Sequence, residues 1–387
     1  MTSPLLFNFY LNQLPRPPDG IRIIQYADDI SIFASGNDIN LLTNAINEYA
    51  DKVINFLESR DLKVSPEKST VTLFTPDKRQ CNLHPEVKLH NMLVPLEKTP
   101  KLLGVYFDTM FNFSHHIKET VKKGKTRNNI LKALGSTWGQ DQETIIQTYK
   151  SIGRSVLEYG VQIWSPIISD TNWQKLQVCQ NSALRTATGN VTMASSDHLH
   201  QESKVLPLKE HAKMLSTQHL LSCYLPGHPG NSLVNRNDHK RNQKPTILNY
   251  RSEIMHLTPI YSKKDYKEQI KTIHTQTVQS SIRNYAPNKV LGRKPPKTVH
   301  KDELDMPRAA RSKLSQWRSS YSPDFNHYLN RIDSENIEDK CPKCTATPHD
   351  IHHQFKCPSA PTNLTPLDLW TKPKKCAEFF KLGDGVT

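Results

Sequence analysis

Gln25-Tyr26-Ala27-Asp28-Asp29-Ile30-Ser31-Ile32-Phe33 sets two adjacent carboxylates between two apolar runs. The flanking segments, IRIIQY and ISIFA within residues 21–34, are rich in Ile, Tyr and Phe and predict strand, turn, strand. Aspartate is common in turns, where its side chain bonds the nearby backbone, so a solvated turn is the plain reading of Asp28 and Asp29. Strands this apolar are expected to be buried on a sheet, however, and two carboxylates held there repel each other unless a cation offsets them. An oxygen-only site with few side chains suits Mg²⁺, which shares its coordination with water and substrate phosphates. Two such ions about 4 Å apart clamp the attacking and leaving oxygens of a phosphoryl displacement.

Outward from the hairpin, Ile39, Leu42, Ile46, Tyr49, Val53, Phe56 and Leu57 recur at helical spacing, with Asp38 as N-cap and an end near Arg60. LKVSPEKSTVTLF predicts a Ser65-Pro66 turn and a strand, EVKLHNMLVPLE a hairpin around His90-Asn91, and KLLGVYFD a further strand. Beyond about residue 112 the apolar spacing is helical. Residues 225–300 lose it and read as an extended connector with at most one helix, about 264–284. A last helix is expected over 308–332.

The chain has 387 residues, 36% of them apolar, enough for two or three domains. Its net charge of +14, from 51 Lys and Arg against 37 Asp and Glu, favours a polyanionic partner. No run of about 18 apolar residues occurs, and Leu5-Leu6-Phe7 lacks a basic flank and a cleavage site, so no membrane partner is expected. Three of seven cysteines crowd into residues 341–357, while Cys81, Cys179, Cys223 and Cys376 are scattered. That distribution predicts a reducing compartment and one metal site, not a disulfide framework.

Tyr26-Ala27-Asp28-Asp29 in a hairpin, preceded by SPLLFNFYLNQLP, resembles the palm of a reverse transcriptase, and more closely that of non-LTR (LINE-type, jockey-like) retrotransposons. Leu62, Ser65-Pro66 and Lys68 resemble the block after the catalytic turn, and LLGVYFD with FNFSHHI the passage from palm to thumb. ALGSTWG, YKSIGRSVLEYGVQIWSP and LQVCQNSALRTATG extend the likeness through the helical region. The resemblance implies an α+β fold: a partial palm sheet (1–110), a helical thumb (111–225), a basic connector (226–305), and a C-terminal helix with a small zinc-knuckle lobe (306–387). It implies RNA-directed DNA polymerisation with Mg²⁺ at Asp28 and Asp29, and with Tyr26 and Lys68 on the substrate side. Lys68 has the alternative of a solvated turn lysine. The implied partners are an RNA template, a DNA primer or target and deoxynucleoside triphosphates, in an intracellular ribonucleoprotein of nucleus and cytoplasm. The oligomeric state is left open. The family centre uses three carboxylates, the first in a block expected upstream of Met1, so the chain is expected to be a truncated polymerase. Its alternative is a non-catalytic nucleic-acid-binding remnant.

In CPKCTATPHDIHHQFKCP, Cys341, Cys344, a histidine and Cys357 offer four soft ligands for a closed, structural Zn²⁺ site. His353 gives the H-x₃-C ending that the resemblance implies, His352 would give H-x₄-C, and His349 is expected outside the ligand set. Among basic runs, Lys122, Lys123, Lys125 and Arg127 are candidate phosphate contacts, as are Arg154, Arg185, HKRNQK, GRKPPK and RAARSK. Trp138, Trp164 and Trp173 could stack bases, although their helical spacing favours core packing.

Overall fold

The computed structural model describes residues 3–136, 139–225, 227–234, 245–255 and 262–383, and divides into two compact units, 1–116 and 117–387. Helices predominate, and among the described residues the strands form three small two-stranded antiparallel sheets, so the fold is α+β in the coarse sense.

In the first unit, α1 (Ser3–Leu11) leads into the hairpin β1 (Ile21–Tyr26) and β2 (Asp29–Ala34), in register from Ile21 opposite Ala34 to Tyr26 opposite Asp29. Side chains alternate across a strand. Ile21, Ile23, Ile30, Ile32 and Ala34 therefore share one face, which packs with Tyr49, Val53 and Leu57 of α2 (Ile39–Glu58). Asp38 caps α2 by accepting the Asn40 and Leu41 amides at 2.8 and 3.3 Å. Just past the helix, Arg60 stacks on Phe56 at 4.2 Å and bonds Gln13 at 2.7 Å, while its carbonyl accepts the Tyr10 hydroxyl. This ties α1 to the end of α2.

The expected hairpin at His90-Asn91 is present as β3 (Lys88–Leu89) and β4 (Met92–Leu93). KLLGVYFD is a second tight hairpin, not one strand: β5 (Lys101–Leu102) and β6 (Val105–Tyr106) turn at Leu103 and Gly104, both at positive φ. Glycine was the available turn signal there, hidden inside an apolar run. The strand expected after Ser65-Pro66 is reduced to one bridge, Val71 with Leu96, behind the short 3₁₀ turn Pro66–Lys68.

α3 (Ser114–Ser136) starts in the first unit and continues through the second. The second unit follows with α4 (Gln142–Thr148), α5 (Asp170–Thr188), α6 (Ser196–Ser203), α7 (Leu208–Cys223) and α8 (Lys263–Asn284). Gly124 lets α3 approach α5 closely, since a Cβ there would lie 2.8 Å from Cys179 Sγ. Gly189 ends α5 at φ +69°, where a Cβ would collide with Ser312. Trp164 and Trp173 are buried against each other at 5.6 Å and are core residues.

The described residues among 226–305 differ from an extended connector. α8 spans the expected helix, and Val234, Ile254 and Ile273 are buried with Leu220 and Leu221 of α7. Val290 joins the C-terminal core. These apolar residues stand singly or in pairs among polar ones, so no periodicity announced their burial. The helix expected over 308–332 is broken into α9 (Arg308–Arg318) and α10 (Asn326–Asn330), with Ser320 at φ +65° and Pro323 between them. Leu314, Trp317, Phe325, Tyr328, Ile351 and Phe355 share one core with Trp370 and Cys376, so the cysteine-rich segment packs as part of this unit.

Candidate functional site

The β1–β2 ladder leaves a two-residue turn, Ala27 and Asp28, with Ala27 at φ +53°. The face opposite α2 carries Arg22, Ile24, Tyr26, Asp29, Ser31 and Phe33, with Ile24 53% and Tyr26 64% exposed. The strands, expected to be buried on a sheet, have one face covered by α2 and the other open within this unit. Asp29 thus stands on an open, largely apolar face beside Tyr26, with Asp28 at the tip, and both carboxylates are exposed. This arrangement presents two oxygen donors outward without interrupting the packed face. Among the described residues no third carboxylate forms a metal-holding group with them. Lys68 is exposed at the end of its 3₁₀ turn, and no ion pair joins it to Asp28 or Asp29 among the described residues. Asp108 is occupied elsewhere: its oxygens accept the amides of Asn112, at 2.8 Å, and Phe113.

On α3, beyond His116 in its first turn, the buried positions are Ile117, Thr120, Gly124, Asn128 and Leu131, spaced by three and four. Lys118, Lys122, Lys125 and Lys132 fall along one exposed flank, Lys123 and Arg127 along the other. Lys118 opens the basic run KETVKKGKTR (118–127), and Lys132 lies beyond it at the same spacing. No carboxylate pairs with any of these six among the described residues.

RAARSK, by contrast, is structural. Arg311 is 3% exposed and pairs with both oxygens of Glu143 at 2.6 Å. Arg308 donates to the carbonyls of Gln140, Thr186 and Ala187, and Lys313 pairs with Asp324. Arg154 pairs with Glu158, and Arg185 donates to the Ala194 carbonyl. In GRKPPK, Lys294 donates to the Ile282 and Arg283 carbonyls near the end of α8. HKRNQK and Trp138 lie outside the described residues.

Cys341, Cys344, His353 and Cys357 place one ligand atom each within 4.8 Å of one another. Cys341 and Cys357 sulfurs are 3.9 Å apart, and His353 Nε2 is 3.3 Å from Cys344 Sγ. Burial opposes ionisation of Cys341, but the Lys343 and Cys344 amides aimed at its sulfur outweigh it and bring the thiol down to about 6. α11 (Ile351–Gln354) presents His353, whose amide bonds the capping Asp350 at 2.8 Å. His352 is exposed and outside the group. His349 is buried and accepts the Asn326 amide at Nδ1, while its own amide bonds Asp339, which also holds His327 at 2.6 Å. Three soft sulfurs and an imidazole at this spacing fit a tetrahedral Zn²⁺ with no position left for substrate.

Comparison with known proteins bears on the hairpin. The family described as reverse transcriptase (RNA-dependent DNA polymerase) matches residues 1–134. The chain is 26% identical over 218 residues to the probable RNA-directed DNA polymerase from transposon BS of Drosophila melanogaster, covering 54% of this chain and 24% of that protein. It is 23% identical over 226 residues to the RNA-directed DNA polymerase from the mobile element jockey of the same fly, covering 56% and 24%. The X-element polymerase of that fly is 24% identical over 210 residues, covering 52% and 22%. The chain thus matches about a quarter of the length of these curated relatives. No solved structure matches it. The reverse transcriptase match encloses the Tyr26–Asp29 turn, and the chain is similar over about half its length to RNA-directed DNA polymerases of such mobile elements.

Proposed function

We propose that the chain serves RNA-directed DNA polymerisation, extending a DNA 3′-OH along an element RNA with deoxynucleoside triphosphates. The observation that carries this reading is the open Tyr26–Asp29 face within the reverse-transcriptase match. Asp28 and Asp29 would hold catalytic Mg²⁺, whose chemistry is to neutralise charge on the transferring phosphate. Tyr26 and Lys68 would contact the incoming nucleotide. Residues 1–110 act as palm and 111–225 as thumb, with the α3 cations on template and primer phosphates, the flank of Lys118, Lys122, Lys125 and Lys132 carrying more of that contact than Lys123 and Arg127. Cys341, Cys344, His353 and Cys357 would hold a structural Zn²⁺. The working location is an intracellular ribonucleoprotein of nucleus and cytoplasm.

A second reading, a nucleic-acid-binding protein without catalysis, is favoured by one observation: among the described residues no third carboxylate joins Asp28 and Asp29. Primer extension on an RNA template with Mg²⁺ or Mn²⁺ separates the two. Incorporation by the purified chain that disappears in Asp28→Asn supports catalysis by this chain. Retained template binding with no incorporation supports the second reading.

A further inference from the structure

Between α9 and α10 the second unit holds a cleft of about 100 Å³ lined by Lys289, Ser320, Tyr321, His327, Tyr328 and Arg331. Lys289 Nζ bonds the Tyr321 hydroxyl at 2.6 Å and lies 4.8 Å from the centre of its ring. The Arg331 guanidinium is 5.9 Å from the same ring. Tyr328 meets Tyr321 edge-on at 6.1 Å. The walls are fixed to the core: Tyr328 is buried in it, as is Val290 beside Lys289. Asn288, the preceding residue, donates to the Arg318 carbonyl at 2.9 Å.

The charge state of this cleft sets it apart from its surroundings. Arg308, Arg311, Lys313 and Arg318 nearby in sequence are committed to carboxylates or carbonyls. Lys289 and Arg331 are exposed, and among the described residues neither has a carboxylate partner. Asp339, behind His327, is occupied by that imidazole and by the His349 amide. Two cations around one half-exposed aromatic ring, without a counterion, match a ligand that is both anionic and flat. Single-stranded nucleic acid has that chemistry, a phosphate joined to a base that can leave its stack for an aromatic side chain.

We propose that this cleft takes one nucleotide of a single-stranded nucleic acid, with its base against Tyr321 and its phosphate between Lys289 and Arg331. The inference rests on the reading that the chain binds nucleic acid, and it adds a site remote in sequence from α3. Duplex backbone would use the two cations but not the ring.

The test is fluorescence anisotropy of the zinc-supplemented full chain with labelled 12-nucleotide oligo(U), oligo(dT) and a blunt DNA duplex. Tyr321→Ala should weaken both single strands about tenfold, with duplex binding unchanged, while Tyr321→Phe keeps the ring and the affinity. The exposed pair Lys289→Gln with Arg331→Gln should weaken single-strand binding and lower its log–log salt slope by about 0.7, the share of the one phosphate held between them. Loss on oligo(U) alone makes the site an RNA site, loss on both a general single-strand site, and either supports the proposal. Wild-type binding that neither Tyr321→Ala nor the double substitution alters overturns it while leaving nucleic-acid binding intact. Equal losses on single strands and duplex in Tyr321→Ala overturn the stacking role. No binding by the wild type overturns this inference together with the reading beneath it.

Discussion

Replacing Lys118, Lys122, Lys125 and Lys132 of α3 by glutamine tests whether one flank of that helix meets phosphate. At 1.5 Å per residue the stripe spans about 21 Å, several nucleotides of an extended strand. All four ammonium groups are exposed and carry no carboxylate partner among the described residues, so neutralising them breaks no ion pair. Each phosphate contact contributes about 0.7 to the log–log salt slope on single strands and about 0.9 on duplex. Four contacts therefore amount to a slope of about 2.8, roughly a fiftyfold change in affinity between 50 and 200 mM salt. The assay is anisotropy of a labelled oligonucleotide over a salt series. The variant should lose most of that slope without changing preference among sequences. Lys123→Gln with Arg127→Gln, on the opposite flank, should change the slope by less than half as much. An unaltered slope in the quadruple variant would leave the lysines a solvated face, and equal effects per charge on both flanks would refute the one-flank argument.

Other consequences are equally specific. Residues of the cysteine cluster should bind about one Zn²⁺ per chain, and a chelator should reduce order in the C-terminal core, because a structural site supplies folding energy. His353→Ala should lower zinc affinity by more than about a hundredfold, since loss of a ligand exceeds loss of a ligand's hydrogen-bond partner, while His352→Ala should change little; a competitive zinc-dye titration reads both. Arg311→Ala removes a bidentate pair in which Arg311 is 3% and Glu143 49% exposed; solvent screens the carboxylate left behind, so the second unit should be destabilised by about 1 kcal/mol in urea unfolding. Burial works against the Asp368 carboxylate, but bonds from Lys372, Thr365 and Thr371 prevail and hold it at about 2, below its ordinary 3.8. A depressed carboxylate contributes stability above its unfolded value and loses it as pH falls toward its folded one. The destabilisation by Asp368→Asn should therefore be full at pH 6 and narrow below about pH 4.

The hairpin, the capped helix α2 and the cysteine cluster were legible because each is local. Two apolar runs joined by Ala27 and Asp28 specify a ribbon, Asp38 precedes a 3.6-residue pattern, and the cluster's ligands fall within 17 consecutive residues. What escaped was set by partners distant in sequence. RAARSK reads as a phosphate-binding run, yet Glu143, 168 residues before Arg311, converts it into a clamp. Val290 and Ile273 lie in polar surroundings and become core only through α7 and the C-terminal helices. Gly104 looked like part of a strand because the turn it makes is only two residues wide. The open face at Asp29 was also beyond sequence reasoning, since Ile24 and Phe33 read as buried letters whichever way they point.

The central claim, that Asp28 and Asp29 act in nucleotide transfer, is tested most directly by placing residues 1–134 of this chain in the Drosophila jockey polymerase, in place of its own corresponding segment, and measuring RNA-templated incorporation of deoxynucleotides. The account predicts that the exchanged protein incorporates nucleotide with Mg²⁺, and that Asp28→Asn or Asp29→Asn abolishes incorporation while RNA binding stays unchanged. Incorporation at full rate by the Asp28→Asn protein would contradict it.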